Sequence, residues 1–434
     1  MDPVLVGIIG IVVLLLVLFF LGMPVGFAMA VVGFCGFWYV VSFRAAVSMV
    51  GADIWFTFSK YGLTVIPLFV LMGYLAFNAG IAERLYSAAY KWMGHWPGGL
   101  AIATIGADEL FAAICGSNTA TAATMGAVAL PQMEKYNYDT RLSSGTVVTG
   151  GTLGTVMPPS VVIIVIGLQT EQSIAKLFLG GILPAILLGI LFVVTILVLC
   201  HFYPHFGPPG PKTSFKEKVR ALPGVIDAVA IFVLVMGGLF LGLFTPTEAG
   251  AVGVLCTFVV ALATGKLTWK GFVSSIRDTL KISCMVIVLV TGAIIFGRFL
   301  AVTRIPFMVA DFAAALPVPP VVVLGLILVI YLIGGCVMDA LGFLVLTIPI
   351  FFPLGMALGF DPIWYSIILT MVTTLGAITP PVGVNIYVVK GLAPEISLTT
   401  IFKSVSFFLS ACIVCIIILI IFPQIVLLIP GIVH

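Results

Sequence analysis

The chain has 434 residues, 62% of them hydrophobic and 8% charged, with a formal net charge of +3 and a mean hydropathy of +1.31. So few polar side chains cannot cover a solvated surface, which excludes a water-soluble domain, and the absence of any basic tract excludes nucleic acid as a partner. What remains is a multi-spanning protein whose solvent is the lipid bilayer.

A span needs about 20 apolar residues. Val4–Leu21 qualifies first; no Lys or Arg cluster precedes it and no small-residue cleavage site follows, so it reads as a retained span rather than a signal peptide. Val25–Val41 is the second span, and the less apolar Ala45–Lys60 reads as a helix along the membrane interface. Leu63–Ala79 follows, then a re-entrant hairpin around Gly98–Met133, a broken span around Ser143–Leu168, and Leu177–His201. A soluble linker, His205–Ala221, rich in Pro, Gly and charge, comes next. The order then recurs with Val225–Leu243, Ala249–Thr264, Ile282–Leu300, a hairpin around Pro319–Pro353, a broken span around Trp364–Val389, and Val405–Ile421.

The recurrence is also literal, because TLGTVMPPSVV from Thr152 to Val162 returns 222 residues later as TLGAITPPVGV from Thr374 to Val384. Pro24 pairs with Pro246 and Pro131 with Pro353 at the same offset. The chain therefore divides into a first repeat (1–203), a linker (204–222) and a second repeat (223–434). Each repeat holds five crossings and one hairpin, and an odd count makes the second insert upside down. With both termini periplasmic, cytoplasmic loops receive all of the nineteen basic residues except Arg44, Lys60, Lys176, Arg298 and Arg304, as the positive-inside rule requires. The fold class expected is thus an all-α polytopic membrane protein of two inverted repeats, in an elevator-type transporter architecture. Paired Gly/Pro interruptions at matching places of two halves mark the transport site of a secondary transporter.

The chemistry sits at those interruptions, since backbone that leaves helical geometry at membrane depth is tolerated only where protein or a water-filled cavity satisfies it. The first hairpin turns at Gly116-Ser117-Asn118-Thr119-Ala120-Thr121, which supplies three hydroxyls and an amide; the offset puts Asp339 of the second hairpin opposite Ser117. The broken spans add Gly154, Met157, Pro158, Pro159 and Ser160 in one copy and Gly376, Thr379, Pro380, Pro381, Gly383 and Asn385 in the other. Consecutive prolines remove two amide donors and free carbonyls about one turn earlier. Carbonyls and hydroxyls are hard oxygen ligands suited to sodium, and with Asp339 the only carboxylate at the tips, a proton relay is less supported than sodium coupling. The competing reading is that Ser117, Asn118 and Asp339 only cap the half-helices that follow, which these residue types do well.

Three further polar features stand out. Thr245-Pro246-Thr247-Glu248 has the pattern of a helix start with a capping box. Arg298 lies near the outer end of a span, where it either snorkels to headgroups or contacts a carboxylate, and its counterpart in the first copy is Tyr74. Asp108-Glu109 lies in the first arm of hairpin one, with a water-facing place near the cytoplasmic opening as its mildest explanation. The eight cysteines are scattered in apolar runs without a second pair beside Cys412 and Cys415, and His95, His201, His205 and His434 have no helical spacing within a span. Neither a zinc or disulfide framework nor a haem-bearing redox subunit is expected.

The segments PLFVLMGYL (67–75), FAAICGSNTATAATMG (111–126), TPTEAGAVG (245–253) and TLGAITPPVGVNIYVV (374–389) resemble the large membrane subunit of tripartite ATP-independent periplasmic (TRAP) transporters, nearly end to end. The resemblance implies a bacterial or archaeal inner-membrane protein, a small membrane partner subunit, a periplasmic substrate-binding protein, and sodium-driven uptake of carboxylate-bearing solutes by an elevator movement. It carries over Gly116, Ser117, Asn118, Gly154 and Met157 as a first cation region and Asp339, Gly376, Thr379 and Gly383 as a second, for two or more sodium ions. Asp108-Glu109 departs from the small or apolar residues expected there, and no four-span block precedes Met1 as a fused small subunit would require. Substrate is expected between the hairpin tips, its carboxylate near Ser117, Asn118, Thr119, Thr121 and Asn385, with Arg298 a further candidate. Two alternatives stay open: a self-sufficient sodium/dicarboxylate symporter, and a membrane enzyme, for which no Ser/His/Asp set or carboxylate dyad is evident.

Overall fold

The computed structural model of the protein describes residues 2–210, 212–315 and 317–432; His434 lies outside them. All regular structure among the described residues is helical, and ten helices are long and apolar enough to cross a membrane.

The first four helices are α1 (Pro3–Leu21), α2 (Val25–Val40), α3 (Phe43–Ser59) and α4 (Val65–Asn78). Local chemistry sets their ends: Asp2 caps α1 with Pro3 in its first turn, Gly22 stops α1 at φ 60°, and Ser42 caps α3. α5 (Ile81–Met93) is not anticipated by span hunting, because it is short and amphipathic, burying Ile81, Ala82, Leu85, Tyr86 and Ala88 while Glu83 and Lys91 sit at its two ends. Hairpin one is α6 (Gly99–Cys115) and α7 (Asn118–Lys135); the broken span is α8 (Thr140–Gly150), α9 (Leu153–Val156) and α10 (Val161–Thr170); α11 (Ile174–Phe202) crosses once more. The linker carries α12 (Phe215–Ala221), started by a Ser214–Glu217 capping box.

The second copy follows as α13 (Pro223–Phe240), α14 (Pro246–Ala263), α15 (Trp269–Val302), α16 (Ile305–Ala315), hairpin two of α17 (Pro320–Val337) and α18 (Ala340–Ala357), the broken span α19 (Pro362–Gly376) and α20 (Val384–Leu392), then α21 (Leu398–Ile421) and α22 (Gln424–Ile432). The Thr245–Glu248 capping box is present in both directions at the start of α14. The copies follow the same order of elements near the 222-residue offset, and they differ most before the hairpins. α3 and α4, separated by a short 3₁₀ turn at Tyr61–Thr64, correspond to the single 34-residue α15. Lys60-Tyr61-Gly62 breaks the first copy where Ile282-Ser283-Cys284 continues the second.

The copies are not side by side but interleaved. α2 packs along α15 while its counterpart α14 packs along α4; α10 packs on α18 while α20 packs on α7; α21 packs on α8 while α11 packs on α19. Such exchange of equivalent partners is the pattern a two-fold relation between copies produces. Burial is graded: 94% of the window across α8–α10 is enclosed but only 17% of α1, so the broken span is the core and α1 the rim. The rim carries apolar side chains outward, among them Phe20, Trp55 and Trp269, as a lipid-facing surface must.

Glycine sets the closest helix contact, since lipid tails offer no hydrophobic drive and packing depends on backbone approach. A Cβ on Gly26 would lie 2.8 Å from the Leu289 Cα and one on Gly33 2.8 Å from the Phe296 Cα, so α2 rests directly on the α15 backbone. The fully buried Phe299 ring fills the room left by Gly10 and Gly36. Gly33→Leu should therefore lower the melting temperature of the detergent-purified protein, overpacking at such a contact costing about 1–3 kcal/mol. Gly51→Ala, with no atom within 4 Å of the new Cβ, should leave it unchanged or slightly raised.

Candidate functional site

The first hairpin reverses at Gly116, whose φ of 63° suits a residue without Cβ and whose missing side chain makes room for the Pro159 carbonyl. Its own carbonyl accepts the Val161 amide at 3.3 Å, docking the tip on the Pro-Pro loop. Ser117 then caps α7, its Oγ accepting the Ala120 amide at 3.5 Å, and the Ser117 carbonyl accepts the Thr121 hydroxyl at 2.8 Å. Gly154 faces that same carbonyl, a Cβ there falling 2.5 Å from it, and Gly151 faces the Asn118 carbonyl at 3.0 Å. Glycine in the broken helix thus presses backbone on backbone and collects carbonyl oxygens behind the tip.

The second tip is built alike. Asp339 caps α18, its Oδ2 accepting the Leu341 amide at 3.1 Å. Gly335 and Gly376 are in mutual backbone contact, and the Cys336 carbonyl accepts the Val382 and Gly383 amides at 3.3 and 3.4 Å. Gly383 adopts φ 63°, and the Thr379 hydroxyl donates to the Leu375 carbonyl at 2.8 Å, leaving its oxygen free to accept. Both Pro-Pro bonds, Pro158-Pro159 and Pro380-Pro381, are cis.

Both tips open into one cavity of about 580 Å³. Gly116, Ser117, Asn118, Thr119 and Ala120 line it from one side and Asp339, Ala340 and Leu341 from the other, with Thr155 and Val161 of the broken span, Tyr74 of α4, and Met285 of α15. Residues 222 apart in sequence are thereby brought together. Among the described residues no Lys, Arg or His lines the cavity, and Asp339 is the single acidic residue on its wall. The N-termini of α7 and α18 end at the same space, each carrying the partial positive charge of a helix dipole. Two enclosed donors or hydroxyls nearby lack partners, the Asn118 Nδ2 and the Ser160 Oγ.

Other expected site residues lie elsewhere. Thr121, Gly154, Met157 and Gly376 are buried behind the tips rather than on the wall. Asn385 is fully buried, its Nδ2 donating to the Val148 carbonyl at 3.2 Å, so it ties the broken span of one copy to that of the other; its Oδ1 has no partner. Arg298 turns away to Asp53, with Nη2 3.4 Å from Oδ1, and lines a second cavity of about 300 Å³ with Lys60 and Glu171. Asp108 and Glu109 do not face water as expected: Asp108 is fully buried and neither carboxylate has a hydrogen-bond partner. Sequence reasoning missed Thr155 as a wall residue, although it sits inside the repeated run, and it noted Tyr74 only as the counterpart of Arg298.

A family described as "Tripartite ATP-independent periplasmic transporter, DctM component" matches residues 12–425. The chain is 34% identical to the C4-dicarboxylate TRAP transporter large permease protein DctM of Pseudomonas aeruginosa, over 77% of this chain and 78% of that one. It is 30% identical to the sialic acid TRAP transporter large permease protein SiaM of Vibrio cholerae, over 95% and 96%. Among solved structures the fold is similar to the Alcanivorax borkumensis YdaH transporter, with a TM-score of 0.61, 16% identity, and coverage of 88% and 90%.

The placement predicts a labelling pattern. With the eight native cysteines replaced, a cysteine at Thr119 or Asp339 should react with a small polar thiol reagent, and one at Asn385, enclosed between α20 and α8, should stay protected until the protein is denatured. Equal labelling of all three in the folded protein would show that the two tips do not share a solvent-reached cavity from which Asn385 is excluded.

Proposed function

We propose, from the premise that this chain belongs to the family of the DctM component of tripartite ATP-independent periplasmic transporters, that it is the large membrane subunit of a sodium-coupled importer of organic acids. The relatives are named as transporter permeases, two of them for C4-dicarboxylate and sialic acid, and an acid of that general kind is the proposed cargo. A tripartite family implies two further components, taken here as a small membrane subunit and a periplasmic binding protein that hands over the substrate; the membrane is the bacterial inner membrane.

The observation that carries this reading is the single cavity closed by both hairpin tips. Among the described residues an anion entering it meets two helix N-termini but no cationic side chain, and it meets Asp339. Two unit negative charges about 5 Å apart at an effective dielectric of 20 repel by about 3 kcal/mol, so a carboxylate needs accompanying cations. The carbonyls gathered by Gly154 and Gly376, with the Ser117 and Thr379 hydroxyls and Asp339, are hard ligands behind each tip that suit sodium rather than a soft metal. Ser117 and Asp339 also cap their helices, and a cap that faces an ion serves both purposes.

An inverted arrangement and an elevator movement are part of the proposal. The exchanged packing of equivalent helices supports the first. The basic residues supply a second support. Lys60 and Arg298, both assigned to the periplasmic side, share one cavity, while Arg84 pairs with Asp227 at 2.7 Å and Lys266 with Glu83 at 3.7 Å on the side assigned to the cytoplasm. Charges at opposite ends of one bundle let the enclosed hairpins and broken spans travel against the outer helices without exposing either set to hydrocarbon.

Uptake of labelled C4-dicarboxylates and sialic acid into vesicles holding the membrane subunits, with binding protein outside, tests the assignment. Accumulation is expected with an inward sodium gradient and lost when potassium replaces sodium; accumulation driven only by a proton gradient would sink sodium coupling. Uptake by this chain alone, without binding protein, would point to a self-sufficient symporter. Asp339→Asn keeps a competent helix cap and removes the charge, so it should hold the melting temperature while raising the sodium concentration for half-maximal uptake about tenfold, roughly 1.4 kcal/mol. Ser117→Ala should do the same at the first site with a cap loss of about 1 kcal/mol. Loss of stability in both variants with unchanged sodium dependence would leave these residues as caps alone.

A further inference from the structure

Asp108 and Glu109 are unexplained by the transport site. They lie about two turns below the first hairpin tip, and as consecutive residues on a helix they point roughly 100° apart, so they cannot chelate one cation between them. Each has its own place instead. The Asp108 carboxylate occupies the room that a side chain on Gly150 of α8 would take, and a Cβ on Gly189 of α11 would lie 2.7 Å from the Glu109 Oε2. Two different helices thus carry glycine where the two acids point. None of the four carboxylate oxygens has a hydrogen-bond partner, and no Lys, Arg or His among the described residues forms an ion pair with either acid.

The helices packed against α6 supply no counter-charge. α4, α5, α7, α8, α9, α11 and α13 surround it. Arg84 of α5 is engaged with Asp227 of α13, Arg141 of α8 with Asp139, and Lys135 of α7, Lys91 of α5, and Lys176 and His201 of α11 stand near the ends of their helices and form no ion pair with either acid. Tyr86 of α5 lies close to Thr104, one turn from Asp108. An ionised carboxylate so enclosed costs several kcal/mol, and no ion pair or hydrogen bond among the described residues offsets it. A neutral acid without a partner also adds nothing to the fold.

We propose that Asp108 is a proton-binding site of the transport cycle, the proton being bound together with sodium at the first hairpin. This rests on the sodium-coupled reading and adds a second coupling ion to it. The connection is the short stretch from Gly150 to Gly154. Asp108 abuts its beginning, while Gly151 and Gly154 abut the Asn118 and Ser117 carbonyls of the tip. Ionising Asp108 requires water, hence separation of α6 from α8, which draws that stretch off the tip carbonyls and loosens the first cation region. Protonation and sodium binding therefore favour each other, and linkage makes the effect reciprocal.

The sign follows directly. Raising the pH removes the proton, so the apparent sodium affinity of the wild type falls, by about tenfold per pH unit for one linked proton. Sodium binding to the purified protein in nanodiscs, read by thermal stabilisation across a pH series, should show that slope. Asp108→Asn, which imitates the neutral acid, should bind sodium with the wild-type low-pH affinity at every pH, whereas Glu109→Gln should keep the slope. Sodium-induced infrared difference spectra should contain a protonated-carboxyl band in the wild type that Asp108→Asn removes. Asp108→Leu, free of the unpartnered amide, must give the same flat profile if the Asn variant folds poorly. A slope or band that survives in the Asp108 variants overturns the proposal. Sodium binding that is flat with pH in the wild type defeats the proton alone, and no sodium binding at any pH defeats the sodium reading together with it.

Discussion

Backbone amides and carbonyls cannot remain unpaired in hydrocarbon, and every feature of this protein that bears on function is a controlled exception to that constraint. Each hairpin turn and each Pro-Pro break releases polar backbone, and each is tolerated because another part of the chain takes it up. The Gly116 carbonyl is met by the Val161 amide in one copy and the Cys336 carbonyl by Val382 and Gly383 in the other. The exceptions are therefore confined to the most enclosed region, around α8–α10 and its counterpart, while uninterrupted helices such as α1 stand at the rim.

Glycine makes those exceptions geometrically possible. Where Gly154 meets the Ser117 carbonyl and Gly376 meets Gly335, a side chain would hold the backbones apart. The same device operates away from the site, where Gly26 and Gly33 let α2 lie on α15 and join the two copies. Stability and function thus draw on one resource, the close approach of bare backbone in a medium that provides no hydrophobic drive. A cavity wall with a single charge follows from this plan. On the proposed reading, recognition by helix ends and bound cations needs no buried arginine, whose desolvation would be costly; Arg298 lies in the second cavity with Asp53 nearby.

Much of this was legible in the chain. The repeated TLG-PP run, the hairpin polar residues and the Thr245–Glu248 capping box are local signals, carried by composition, periodicity and turn chemistry within a few tens of residues. They sufficed to place the apolar helices, the two hairpin turns and the two Pro-Pro breaks along the chain, and to name Ser117, Asn118, Thr119 and Asp339, which the fold brings to one cavity. Short amphipathic α5 and the linker helix α12 escaped, because a hydropathy window detects only helices apolar on every side.

What the sequence by itself determined, then, is duplication, membrane residence and the chemistry of the interruptions, since those depend on which residues are neighbours along the chain. Tertiary structure alone decided which interruptions meet. It put tips 222 residues apart on one cavity, turned Asn385 inward to Val148, sent Arg298 to Asp53, and enclosed Asp108 against Gly150 rather than in water. Each of these outcomes depends on how helices distant in sequence rotate and cross. That rotation is set by glycine contacts between them, which no local pattern of hydrophobicity records.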